Sequence, residues 1–318
     1  MDPFIIVRAV HFASTAMVAG AIFFLAFVAA PALRPVLADP PVAVLGKRLT
    51  VTLWIALLVS ALSGLMWLLL LSARIAGQPV TEALANGVVW TILTETRFGN
   101  DWIARLCLAF LLAGTLYLRP SKHQSNQPSH SWVVLLLAAC FMGSLAWSGH
   151  AGASPGIKGE IHLVSDAFHL VAVAAWVGAL PSLVILLSSA LQGANNAWTG
   201  VAVVAGLRFS TMGLLSVGML LVTGVVNTLN LAGNVPALTE TEYGKLLLLK
   251  VFLFIAMVCI AAVNRLRLLP RLTSMETTRQ LRRNALVEIG LATIVIFIVG
   301  ALGTMPPGEH LESEPHIH

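Results

Sequence analysis

The chain has 318 residues, of which 58% are hydrophobic and 10% charged, with a mean hydropathy of +0.87. That leaves too little polar material to cover a water-soluble globule, so the composition specifies an integral membrane protein. A net charge of +5 and a pI near 9.5 do not mark a nucleic-acid binder, because the Lys and Arg residues fall in short loops between apolar runs, where they set orientation.

Eight apolar runs lie at about 4–30, 50–72, 102–118, 132–150, 161–187, 201–230, 245–263 and 285–304, lengths that suit spanning helices at roughly 1.5 Å rise per residue. They predict an all-α, polytopic membrane helix bundle over 1–305 as a single unit, followed by a polar tail over 306–318. The first run opens MDPFIIVRAVHF, with an acid ahead of its first base and an apolar stretch too long for a signal-peptide core, and so reads as a retained spanning helix. Arg8 on it is expected to snorkel to the interface. After the second run, Val80, Leu84, Val88 and Ile92 recur every four residues, which predicts an amphipathic helix near 80–94 lying along the membrane surface. The third run is short and begins beside Asp101, and Pro181 is expected to kink the fifth. Cys107, Cys140 and Cys259 lie within apolar runs without a CxxC pair and read as small core residues.

Loop charges set the orientation. Eleven basic residues (Arg34, Lys47, Arg48, Arg119, Lys122 and six arginines from Arg265 to Arg283) lie on one side, against Arg74, Arg97, Lys158 and Lys245 on the other. The basic side is cytoplasmic, so both termini, the loop WSGHAGASPG and the tail are expected to face the periplasm of a bacterial inner membrane.

The chemistry concentrates in WSGHAGASPGIKGEIHLVSDAFHLVAVAAW, from Trp147 to Trp176. His162, Asp166 and His169 follow i, i+4, i+7 spacing and share one helical face, with His150 across a short loop. Ionisable groups at membrane depth are costly and mark a site by default. His11, Arg105, Lys250, Asn227, Asn230 and Met305 are expected near the same bilayer face, where they can build a polar pocket open to the periplasm. The His150, His162 and His169 group favours a metal ion over chance spacing. His11 reads as a packing histidine or a ligand, and Asp166 as a partner of Arg105 or Lys250 or as support for a histidine. Glu288, near Arg282 and Arg283, reads as an ion-pair partner or a proton or metal exit point. Met142, Met212, Met219 and Met305 suit a soft ion, and imidazole suits copper or zinc. In the tail, His310, His316 and His318 among glutamates form a metal-capturing tract or a disordered end. No Walker A, GxSxG, HExxH or phosphorylated-pump signature occurs, so the chain reads as a non-enzyme.

Four stretches carry a resemblance: GHA at 149–151, FHLVAVAAWVGALP from Phe168, RFSTMGLLSVGMLLVTGVVN at 208–227, and YGKLLLLKVFLFIAMVCIAAVNRLRLLPRL from Tyr243. With these the chain resembles the copper-resistance D family (CopD, also called PcoD) of bacterial inner-membrane proteins, and the first helix, VRAVHFASTAMVAGAIFF, fits more loosely. The resemblance implies movement of a copper ion between periplasm and cytoplasm beside a small periplasmic carrier, CopC. A second reading comes from the residues themselves: His11, His150 and His169 can supply an axial pair for b-type haem (haem b) in an electron-transfer bundle.

Overall fold

A computed structural model describes residues 2–118, 132–149, 156–193, 195–232, 235–272 and 274–305, apart from the side chains of 230–237. The helices are α1 (Pro3–Val36), α2 (Pro40–Ala76), the short α3 (Val80–Ala85) and α4 (Val88–Glu95), α5 (Arg97–Tyr117), α6 (Trp132–Ser148), α7 (Gly156–Gly193), α8 (Asn196–Ala232), the short α9 (Val235–Glu240), α10 (Glu242–Arg271) and α11 (Met275–Leu302). No strand occurs among the described residues. Six of these helices, α1, α2, α7, α8, α10 and α11, are long and apolar enough to cross a bilayer, and α6 is a shorter apolar helix. Helix α5 runs 21 residues but carries Arg97, Asp101 and Arg105 in its first turns. The protein is an all-α polytopic membrane bundle.

Helix α1 is the central post, packed against α2, α6, α7 and α11. Its closest approach is to α7, where Gly20 meets the backbone of Ala174 and Gly178, and a side-chain carbon at Gly178 would fall on the Ala16 carbonyl. Small residues permit that proximity where lipid supplies no hydrophobic drive between helices. The outer surface is apolar, with Leu58, Phe110, Leu215, Val222 and Phe252 all exposed, as a lipid-facing surface requires. Cys107, Cys140 and Cys259 also lie on this surface and not in the core; an apolar run in lipid has two apolar faces, so hydropathy alone did not place them.

Three helices widen into π-helical turns, at Leu25–Ala29, Ala174–Gly178 and Asn264–Leu268, each just ahead of a proline: Pro31, Pro181 and Pro270. Proline lacks an N–H and its ring pushes on the carbonyl four residues back, so the helix loosens there. The carbonyl freed by Pro31, that of Phe27, accepts instead from Arg208 Nη1 at 3.4 Å.

The surface stretch after α2 folds as two helices, because Asn86 ends the first and Gly87 turns with φ 72°. The break rotates the two parts, so Ile92 is buried while Leu84 is 52% exposed. Arg8 does not snorkel. It is 7% exposed, donates to the Gly303 carbonyl at 2.7 Å and stands 4.8 Å over the Trp67 ring. That bond joins the start of α1 to the end of α11, placing residues 8 and 303 at one face of the bundle.

Candidate functional site

His11 lies two turns into α1 and is 2% exposed. Its Nδ1 is 3.0 Å from the Ser60 carbonyl and 3.2 Å from Ser63 Oγ on α2, and its Nε2 is 2.8 Å from Arg105 Nη2 on α5. A guanidinium only donates, so the network assigns the lone pair to Nε2 and the proton to Nδ1. Arg105 also donates to Ser144 Oγ at 2.7 Å and the Phe141 carbonyl at 3.3 Å on α6. Trp67 and Trp102 flank the imidazole at centroid distances of 5.6 and 5.5 Å. Both ring nitrogens of His11 are engaged, and a metal there would have to displace Arg105. The expected alternative of Arg105 pairing with Asp166 does not occur, because Arg105 is spent on α1 and α6.

A second polar group joins α7, α8 and α10. His169 Nδ1 is 2.9 Å from Thr223 Oγ1, and that hydroxyl donates to the Met219 carbonyl at 2.7 Å. Thr223 therefore accepts from His169, and the network assigns the lone pair to Nε2. One turn earlier on α7, Asp166 Oδ1 accepts from Asn227 Nδ2 at 3.1 Å. Thr223 and Asn227 are i, i+4 on α8 and face His169 and Asp166, which are i, i+3 on α7. Asn227 Oδ1 is buried with no hydrogen-bond partner. Lys250 on α10 exerts its charge on both Asp166 and His169, yet the ion pairs among the described residues are Arg74–Asp2, Lys245–Glu242 and Arg279–Glu276. Lys250 thus compensates Asp166 without contacting it. Gly149 lies over the carboxylate, where a side-chain carbon would stand 4.0 Å from Asp166 Oδ2. The cluster presents an imidazole nitrogen, an amide oxygen and a carboxylate, a set that suits a cation.

His162 is 5% exposed on the same face of α7. Met305 packs with Tyr243, Leu247 and Leu302 where α10 begins and α11 ends. His150, His310, His316 and His318 lie outside the described residues, as does the tail. Among the described residues no three His, Cys, Asp or Glu side chains gather closely enough to hold a metal. The structure joins His11 to α2 and α5 and His169 to α8, so no axial pair for haem forms between them. Glu288 makes no ion pair among the described residues: its Oε1 accepts from Asn264 Nδ2 at 3.0 Å, while Arg282 points at Ser188 Oγ, 3.5 Å away. Sequence reasoning missed Thr223, Ser60 and Ser63; Thr223 had a signal, standing one turn before Asn227 in the motif that held the latter.

Ionisable and polar side chains buried between long apolar helices define a polytopic membrane protein with a polar cluster inside its bundle. The family model described as "Copper resistance protein D-like, N-terminal domain" matches residues 1–160, and "Copper resistance protein D" matches residues 203–302. The chain belongs to the copper resistance protein D family. It is 29% identical over 305 residues to "Inner membrane protein YebZ" of Escherichia coli (strain K12), covering 95% of this chain and 98% of that protein. It is 28% identical over 225 residues to "Copper resistance protein D" of Pseudomonas syringae pv. tomato (68% and 71%), and 26% identical over 242 residues to "Copper transport protein CutJ" of Bacillus subtilis (strain 168) (76% and 42%). No solved structure matches.

Proposed function

We propose that the protein takes up copper from the periplasmic side of a bacterial inner membrane and passes it through the bundle at the cluster of Asp166, His169, Thr223, Asn227 and Lys250. What carries the reading is the assignment of the lone pair to His169 Nε2, beside a carboxylate that accepts from Asn227 and that, among the described residues, has its nearest compensating charge in Lys250, off contact. An arriving copper ion takes over the role of Lys250 toward Asp166, with imidazole as the ligand either oxidation state accepts. Thr223 fixes the ring in the tautomer that leaves Nε2 free, as outer partners of metal-binding histidines do. His162 lies on the same helix face, and His150 follows Gly149, where a side-chain carbon would stand 4.0 Å from Asp166 Oδ2. His150 and the His310, His316 and His318 tail are the entry ligands in this account, fed by a CopC-like periplasmic carrier, and Met305 flanks the entry. Relatives named for copper resistance and copper transport support the substrate, and YebZ, named as an inner membrane protein, supports the location. His11 serves the fold through Arg105. The reading assigns the chain no covalent chemistry, so it is not an enzyme, and it gives no role to haem.

The test is copper accumulation in cells carrying His169→Ala or Asp166→Asn at equal membrane protein levels. The expected result is loss of the increment the native chain provides; an undiminished increment in both variants contradicts the reading.

A further inference from the structure

Away from the cluster, α10 and α11 bury a second carboxyl group. Glu288 is 2% exposed, and only one of its oxygens is hydrogen-bonded, to Asn264 Nδ2 at 3.0 Å. Asn264 is held in turn by Asn284 Nδ2 at 2.6 Å. On α7 the Trp176 indole, a neutral donor, faces the carboxyl, and Oε2 has no well-aligned hydrogen-bond partner among the described residues. The charges that could pair with it are engaged elsewhere or exposed: Arg282 points to Ser188, Arg265 donates to Ser210 Oγ at 2.9 Å, and Arg283 and Arg267 face outward. Desolvating a carboxylate that faces only neutral donors and no cation is far more costly than burying the neutral acid.

The two residues that face Glu288 both come from π-helical turns, Trp176 from Ala174–Gly178 and Asn264 from Asn264–Leu268. Such turns recur at functional sites because they can rearrange. Trp176 also lies seven residues beyond His169, on the face of α7 that carries His162 and Asp166. Glu288 is therefore the next carboxyl along the line that begins at the cation cluster, with Asn264 about 21 Å further along α10 than Lys250 at 1.5 Å per residue.

We propose that Glu288 is a proton-exchange site: its carboxylic acid keeps a proton at rest and releases it to water when a cation occupies the two oxygens. The O–H bond breaks heterolytically, the oxygen keeps the electron pair, and the cation replaces the proton one charge for one. For a cation, Trp176 is the side chain that must move aside. That the cation is copper rests on the preceding reading; that the acid is protonated at rest does not.

The experiment is infrared spectroscopy of the purified full-length protein carrying carbon-13 glutamate, which separates Glu288 from Asp166. At neutral pH the native chain should show a protonated-carboxyl C=O band that shifts in heavy water, and Glu288→Gln, which keeps an acceptor for Asn264, should lose it. Adding Cu(I) in weak buffer should bleach the band and release about one proton per chain, as the charge balance of the exchange requires. Absence of the band from the native chain, or its persistence in Glu288→Gln, overturns the proposal. A band that Cu(I) leaves unchanged overturns the exchange step. A native chain that shows the band but moves no copper in cells defeats the copper reading and leaves the resident proton standing, so the two failures are distinguishable.

Discussion

His11 and His169 are both imidazoles set between spanning helices, yet the protein treats them in opposite ways. Around His11 both ring nitrogens are bonded: Arg105 fills Nε2 and ties α1 to α6, Ser60 and Ser63 take Nδ1, and two tryptophans close the sides, while Arg105 Nε and Trp102 Nε1 have no acceptor among the described residues. Around His169 the bond to Thr223 engages Nδ1 and assigns the lone pair to Nε2, Asn227 Oδ1 has no partner among the described residues, and Lys250 acts on Asp166 from beyond ion-pair distance. An imidazole bonded at both nitrogens ties its helices together, whereas one whose lone pair is not taken by a guanidinium can offer it to a ligand. The comparison sets a histidine whose lone pair is taken by a guanidinium against one whose ring is oriented by a threonine hydroxyl, although both carry the same sequence signal.

The widest way to disturb both regions is through the joint between α1 and α7. Gly178→Val places a side chain on the Ala16 carbonyl, and we expect the variant to be recovered only as misfolded protein, checked by size-exclusion profile in detergent. Next come changes that should strike one region alone. His169→Ala should lower copper affinity of the purified protein by more than roughly 10-fold, and Thr223→Val, which frees the ring to flip, by about 10-fold, each with an unfolding midpoint close to native. Arg105→Leu should do the reverse. Losing its bonds to His11, Ser144 and Phe141 should destabilise the fold by about 2–4 kcal/mol, read by unfolding in detergent, while copper affinity in the surviving folded fraction holds. If Arg105→Leu weakened copper binding as much as His169→Ala, the division between the two regions would be wrong.

The smallest effect belongs to the loop end of α1. Asp2 caps the helix through Phe4 N and pairs with Arg74, and both interactions hold its carboxyl below the usual aspartate range, the bond to Phe4 N contributing most. A lowered folded-state value gives stability that is present above the unfolded value and lost as pH falls through the folded one. Asp2→Asn should therefore matter slightly at neutral pH and not at all in strong acid, by unfolding midpoints across that range.

Much of the architecture was legible because a bilayer demands long apolar runs, and each of the eight runs falls on a helix, although α2 and α11 begin ten residues ahead of theirs, at Pro40 and Met275. A local disturbance at Pro181 was legible too, and it takes the form of a widened turn ahead of the proline. Partner choice was not legible. Spacing put Asp166 and His169 on one face, but nothing in the local pattern said that Arg105 would turn to His11, or that Glu288 would meet Asn264 in place of Arg282. Those outcomes depend on which helices are neighbours, and long-range contacts leave no periodic trace. Arg8 was misjudged for the same reason: its acceptor, the Gly303 carbonyl, lies 295 residues away.

The most direct measurement is copper flux into vesicles containing only the purified protein, comparing the native chain, His169→Ala and His11→Asn, each verified as folded. The account predicts that flux ends in His169→Ala and persists in His11→Asn. Flux that survives in His169→Ala, or that fails in a folded His11→Asn alone, would contradict it.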